Sequence, residues 1–282
     1  MKKLWKISLI GLCVLCLGGC GKSKEVEEEQ LKLRNQGMEQ AKAGEYEEAI
    51  ASYDKALALA DMRVGALELD IAAYKASALY HAGELTQAID TCSAILDLKE
   101  SAELYLTRGL LYQKAENTQK ANEDFKQAMA LTSNKDYVTL GRLSYYMEDY
   151  AKAKEYLEKA PDTEDKEATY WLAELYWQTG NQEYAVTLYQ SYLEGDAVYM
   201  SAYSKVAGWH MGRGEYDEAL AIVDAGIAKG NDGNLQNLLG YEIAIYEQKG
   251  DFATAKVKME SYIEQYPEDK EAAREYEFLK TR

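Results

Sequence analysis

The sequence predicts an all-α protein built as a row of stacked helical hairpins, and three observations carry this. Only 2 of the 282 residues are proline, while Ala, Leu, Glu, Lys and Tyr dominate, which favours helices over a turn-rich β-sandwich. The phrase "AGEYEEAI" at Ala43 returns as "GELTQAI" at Gly83, "GEYDEAL" at Gly214 and "GDFATAK" at Gly250. Aligned on the turn residue, Gly44, Gly83, Glu116, Glu148, Gly180, Gly214 and Gly250 follow at spacings of 39, 33, 32, 32, 34 and 36, giving seven units of about 34 residues.

The amino terminus precedes these units. "MKKLWK" is a basic opening, and "ISLIGLCVLCLGG" is an apolar run of 13 residues, too short for a permanent span, which needs ~20. Residues 1–19 therefore read as a signal peptide. Its end, "LGGC" from Leu17 to Cys20, resembles the lipobox of bacterial lipoproteins. That resemblance implies a diacylglyceryl group on the Cys20 thiol, cleavage before it, and a protein held by lipid on the extracytoplasmic face of a bacterial membrane. Two or three acyl chains anchor stably where one does not. An ordinary secretory signal cut nearby is the alternative.

Two lures lie in the same stretch. Cys13, Cys16 and Cys20 have metal-like spacing, but the first two fall in the discarded segment and Cys20 becomes a thioether. "GGCGKS" ends like a phosphate-binding loop, yet the first glycine of that motif would stand at Cys16. Cys92 is the thiol left after processing, so no internal disulfide staples the chain and packing must hold it together.

Residues 20–29 are expected to form a short tether from the lipidated cysteine, spanning at most roughly 30 Å. Residues 30–267 hold the seven units, and residues 268–282, "EDKEAAREYEFLKTR", read as a polar-faced helix capping the last of them. The net charge is −16, and −19 once Lys2, Lys3 and Lys6 are removed. An acidic surface with no Lys/Arg stripe argues against nucleic acid as a partner.

Within each unit the pattern is regular. Alanine stands five residues after every turn, at Ala49, Ala88, Ala121, Ala153, Ala185, Ala219 and Ala255. Seven before the turn the residue is small, at Gly37, Ala76, Gly109, Gly141, Ala173 and Ala207, with Ile243 departing. Nine after the turn come Tyr53, Cys92, Phe125, Leu157, Tyr189, Val223 and Met259. Small residues let two helices approach, and the larger residue fills the gap beyond. Glycine at the turn supplies the left-handed conformation that ends a helix; at Glu116 and Glu148 the adjacent Asn117 or Asp149 is expected to take that role.

This arrangement resembles the tetratricopeptide repeat, over about Gln30 to Pro267. The aromatic that the family places four before the turn is present at Tyr112, Tyr176 and Tyr246 but not at Gln40, Ser144 or His210. The resemblance implies a right-handed superhelical α-solenoid of about seven helix-turn-helix repeats. The physics agrees: a lone hairpin cannot bury its apolar face, whereas a row buries a continuous core. Two irregularities stand out, about five extra residues near "ADMRVGALE" and the breaker-rich "KGNDGN" from Lys229 to Asn234, a candidate hinge.

No constellation supports catalysis, a cofactor or a metal. His81 and His210 sit in no ligating or nucleophile motif, and Cys92 fills a core slot. The reading is of a non-enzymatic protein. What remains is the stripe ten, six, three and two residues before each turn, which by the resemblance lines the concave, peptide-binding face. The third to fifth repeats place Leu106, Leu110, Gln113, Lys114, Arg142, Tyr145, Tyr146, Tyr170, Glu174, Trp177 and Gln178 there, and the second adds Tyr80 and His81. We expect an aromatic groove whose truncation leaves the fold intact, with Arg142 anchoring a ligand carboxylate. Tyrosine as general filler, at 24 of 282 residues, is the competing account. The function expected is a membrane-anchored scaffold or assembly factor for a protein or peptide partner. A carrier or chaperone for unfolded or small cargo is the alternative, and an enzyme carried on the repeats is the third.

Overall fold

The computed structural model describes residues 24–60, 64–160, 166–195, 199–229 and 234–282. All regular structure among them is helical. Seven hairpins follow in order: α1 (Lys24–Lys42) with α2 (Tyr46–Ala58), α3 (Ala66–His81) with α4 (Leu85–Leu96), and α5 (Ala102–Lys114) with α6 (Thr118–Leu131). Next come α7 (Tyr137–Tyr146) with α8 (Tyr150–Leu157), α9 (Lys166–Gln178) with α10 (Gln182–Leu193), and α11 (Ser201–Gly212) with α12 (Tyr216–Lys229). The last pair is α13 (Leu235–Gln248) with α14 (Phe252–Gln265), followed by α15 (Lys270–Leu279). The first helices of successive hairpins touch one another, α1 with α3, α3 with α5, α7 with α9 and α11 with α13, and so form the inner layer of a superhelical solenoid.

Every hairpin turns by the same two bonds. In the first, Gly44 donates its N–H to the Ala41 carbonyl (3.0 Å) and Glu45 donates to Gln40 (2.9 Å); in the third, Glu116 donates to Gln113 (3.0 Å) and Asn117 to Tyr112 (2.8 Å). This is the Schellman closure, which requires a left-handed residue at the turn. Glycine supplies it five times, but Glu116 and Glu148 adopt it themselves, with φ of 57° and 60°. Asn117 and Asp149 do not take that role. Each instead caps the following helix, accepting from the N–H of Lys120 (3.1 Å) and Lys152 (3.2 Å).

The small-to-large pairing across each hairpin is the core. All seven alanines five residues past the turn are fully buried. A Cβ on Gly37 would come within 2.6 Å of the Tyr53 ring, one on Gly109 within 2.4 Å of Phe125, and one on Gly141 within 2.5 Å of Leu157. Glycine is therefore needed there for close approach. Two polar groups within this core are firmly paired: Arg108 grips Asp124 through two bonds of 2.8 Å, and buried Gln30 donates to the Ala56 carbonyl (2.8 Å) and to Glu68 (3.2 Å). Cys92 is fully buried and its thiol is pushed up to about 12 by burial, which leaves it unreactive.

Two boundaries need comment. The first helix begins at Lys24, so residues 24–29, expected to belong to an extended tether, are helical. Residues 1–23, including the signal segment and Cys20, lie outside the described residues, as do 61–63 and 230–233 in the two irregular stretches. Among the described residues no helix is long and apolar enough to cross a membrane.

Candidate functional site

The inner layer opens into a cavity of about 930 Å³ running from α3 across α5 to the end of α7. It exists because α3 carries small side chains on its inner face: Ala73 and Ser77 leave room that larger residues would fill. Leu69, Leu110 and Leu111 make an apolar floor, and Tyr74, Tyr80 and Tyr146 stand around it. The cavity is polar at its ends. Glu103 in the first turn of α5 is 67% exposed, and Lys114 closes the same helix at the other end, so one helix presents opposite charges along the groove. Gln113 donates to the Tyr146 carbonyl (3.1 Å), which ties α5 to α7 at the groove's edge.

Of the thirteen residues expected on the binding face, Tyr80, Leu110, Gln113, Lys114 and Tyr146 line this cavity. Leu106 does not; it is buried against Ala121, Phe125 and Leu143. His81 is exposed and stacks on Tyr46 with ring centres 5.3 Å apart, beside a second cavity. The others form no open groove. Tyr170 is only 6% exposed and stacks on Tyr199 at 4.2 Å, while Tyr145 and Tyr146 both pack on Trp171, at 5.6 and 5.3 Å. Trp177 leans on Tyr189 at 6.3 Å under the Lys205 ammonium, and Gln178 is exposed at the end of α9. In repeats four to six the aromatic stripe is thus packed against itself.

The charges expected to await a ligand there are engaged within the chain. Glu174 accepts from the Tyr189 hydroxyl (2.6 Å) and the Tyr145 hydroxyl (3.5 Å). Arg142 pairs with Glu167 (3.2 Å) and more loosely with Glu103 (3.7 Å), and Glu167 also accepts from Tyr199 (3.0 Å). Burial, and then the Glu174 charge, push the phenols of Tyr145, Tyr170 and Tyr189 well above the ordinary tyrosine value, so they remain neutral donors. Sequence reasoning placed Tyr189 in the core of its hairpin but missed Trp171, Tyr192 and Tyr199, which close the stripe with it. It also passed over Ala73 and Ser77, which lie on the stripe of the second repeat and were legible as its small positions.

Paired antiparallel helices stacked seven deep, with an inner groove and a terminal capping helix, define a helical-repeat solenoid. Tetratricopeptide repeat models match residues 34–103 and 138–199, residues 102–135, and residues 241–269, together more than half of the chain. The chain belongs to the tetratricopeptide repeat family, whose members generally mediate protein–protein interactions. Its fold is similar to a tetratricopeptide repeat protein from Parabacteroides merdae, at 16% identity and TM-score 0.53, over 90% of this chain and 100% of that one. Yeast Tom70 is similar at 18% identity and TM-score 0.67, over 92% of this chain and 55% of Tom70. The Cut9–Hcn1 assembly of the APC/C is similar at 12% identity and TM-score 0.54, over 83% of this chain and 52% of that one. The chain thus spans about half the length of the latter two, and at these identities the likeness concerns fold alone.

Proposed function

We propose that the protein is a non-enzymatic scaffold that holds a segment of a protein partner in the groove of α3, α5 and α7, anchored through lipid on Cys20 to the extracytoplasmic face of a bacterial membrane. The observation that carries the binding role is the cavity of about 930 Å³ on the inner layer, with an apolar floor and opposite charges at its two ends. Apolar area supplies affinity and the placed charges set direction along the groove. The anchoring role is supported by "LGGC" at Leu17–Cys20 after a basic and then apolar opening.

The test of binding is a photo-crosslinking residue placed at Leu110 or Gln113 in the native cell, with Glu158 at the end of α8 as the outward-facing comparison. A protein captured at both groove positions and absent at Glu158 is the expected result. Identical capture at all three would overturn the groove as the binding face. Anchoring is tested by metabolic labelling with a fatty-acid analogue: Cys20→Ala abolishes the label and leaves a larger precursor, and undiminished labelling refutes it.

A further inference from the structure

The superhelix brings its two ends face to face. Residues of the first two repeats and of the seventh line one cavity of about 680 Å³, although they lie far apart in the chain. One wall is Tyr46, His81 and Tyr74, the first two stacked with ring centres 5.3 Å apart. The opposite wall is Tyr266, just past α14, flanked by Gln236 and Gln265. Both amides are held: Gln236 donates to the Tyr262 hydroxyl (3.0 Å) and Gln265 to that of Tyr266 (3.3 Å). Ser77, on the same helix as Tyr74 and His81, adds a hydroxyl to the first wall.

Charge narrows what this seam can take. In a protein of net charge −16, no carboxylate among the described residues lines the cavity, so none of them neutralises a cation there despite the aromatic rings. Among the described residues Lys42 is the one lining residue with a fixed charge, and its ammonium pairs with Glu39 at 2.9 Å, so they offer no converging set of charged donors for an anion. The fitting ligand is neutral. The Tyr74 ring is already engaged by Tyr53, stacked at 6.2 Å, and by the Arg34 guanidinium at 4.9 Å, so the ligand must offer flat apolar faces to Tyr46 on one side and Tyr266 on the other, and hydroxyl or amide groups at its edge for Ser77, Gln236, Gln265 and the phenols. A pyranose ring has this form: C–H groups on its faces and hydroxyls around its rim. Small-molecule sites span ~300–1,000 Å³, and this cavity falls within that range. Its size suits several linked rings better than one.

We infer that the seam between the first two repeats and the last is a binding site for a neutral oligosaccharide. It is distinct from the partner groove, although Tyr74 and Ser77 of α3 border both cavities. A sugar that touches both walls ties the first repeat to the seventh, so binding also draws the open ring of repeats together.

The test is calorimetric titration of the complete chain, in a non-glycosidic detergent, with chitohexaose, cellohexaose and maltohexaose, and with adenosine and hexagalacturonate as flat and anionic competitors. At least one neutral hexasaccharide should bind and reduce the radius of gyration by small-angle scattering. Tyr266→Ala should weaken that binding by at least about tenfold. Tyr266→Phe, which keeps the stacking face, should retain most of it, and Tyr184→Ala on the exposed face of α10 should retain all of it. Should Tyr266→Ala lose helicity by circular dichroism, the exposed Gln265→Ala carries the test, with a several-fold loss expected. Absence of binding by every neutral sugar, preference for adenosine or hexagalacturonate, or undiminished sugar binding in the folded seam variants would overturn the assignment.

Discussion

Replacing Gly109 of α5 by alanine puts a methyl group against the Phe125 ring of α6. The new Cβ would lie 2.4 Å from Cε1 and 2.7 Å from Cδ1 of Phe125. That ring is fully buried and stacks on Tyr146 at 5.7 Å, so it has no free space to swing into. Overpacking of this kind costs ~1–3 kcal/mol, while alanine regains ~1 kcal/mol of helix propensity over glycine. The net expectation is a change between roughly zero and a loss of about 2 kcal/mol. Gly240, inside α13, is the matched comparison, because a Cβ there meets nothing within 4 Å. Gly240→Ala should therefore gain ~0.5–1 kcal/mol from propensity alone. The propensity gain is common to both variants, so they differ by the overpacking cost of ~1–3 kcal/mol, and for a chain of this size their melting temperatures should differ by about 2–12 °C. Thermal unfolding by circular dichroism reads the difference, and hydrogen exchange should place the loss in α5 and α6. Adding Phe125→Leu, which removes the clashing ring edge, should recover part of the loss, a coupling of at least ~0.5 kcal/mol. Equal stability of Gly109→Ala and Gly240→Ala would refute the close-approach account of the hairpin.

Glu116→Gly and Glu148→Gly should each stabilise the chain by up to ~1 kcal/mol, since both glutamates occupy left-handed turns; a loss in urea unfolding would show that their side chains matter more than their φ. Tyr170→Ala, in the aromatic core between α9 and α11, should cost ~3–5 kcal/mol and loosen exchange there, whereas a folded and equally stable variant would return it to the status of a surface residue. Glu247 has its carboxyl pushed up from 4.5, first by burial and then by Glu275, and its Oε1 is buried without a hydrogen-bond partner. A raised carboxyl contributes stability below its ordinary value that is lost as pH rises through the raised one, so protection of α15 should fall as pH rises above about 4.5. Glu247→Gln should flatten that dependence, and an unchanged slope in the variant would refute the assignment.

The hairpin frame was legible because its constraints are local. A turn residue, a small residue seven before it and an alanine five after it are positions in one helix pair, and their spacing survives in a single sequence. Left-handed Glu116 and Glu148 were harder to read, because glutamate gives no conformational signal; only the register of the other five turns points to them. The binding face was half legible. A stripe says which way side chains point but not whether a neighbour fills the space before them. On α7 and α9 the large residues Tyr145, Tyr170 and Trp177 meet Trp171, Tyr189 and Tyr199 and close the surface. On α3 the small residues Ala73 and Ser77 leave the volume that becomes the groove. Aromatic residues in the stripe marked a core, and the gap lay beside them.

The start of α1 at Lys24 bears on how such a scaffold would be mounted. Only Gly21, Lys22 and Ser23 separate Cys20 from that helix, a reach of at most ~10 Å. If Cys20 carries lipid, the foot of the first repeat is held within that short reach of the bilayer, like a bracket on a wall. Glu25, Glu27, Glu28 and Glu29 crowd the foot of the bracket and are repelled by an anionic leaflet, which favours the helix standing off the surface over lying along it. Partners would then be met close to the bilayer, at a distance bounded by so short a link.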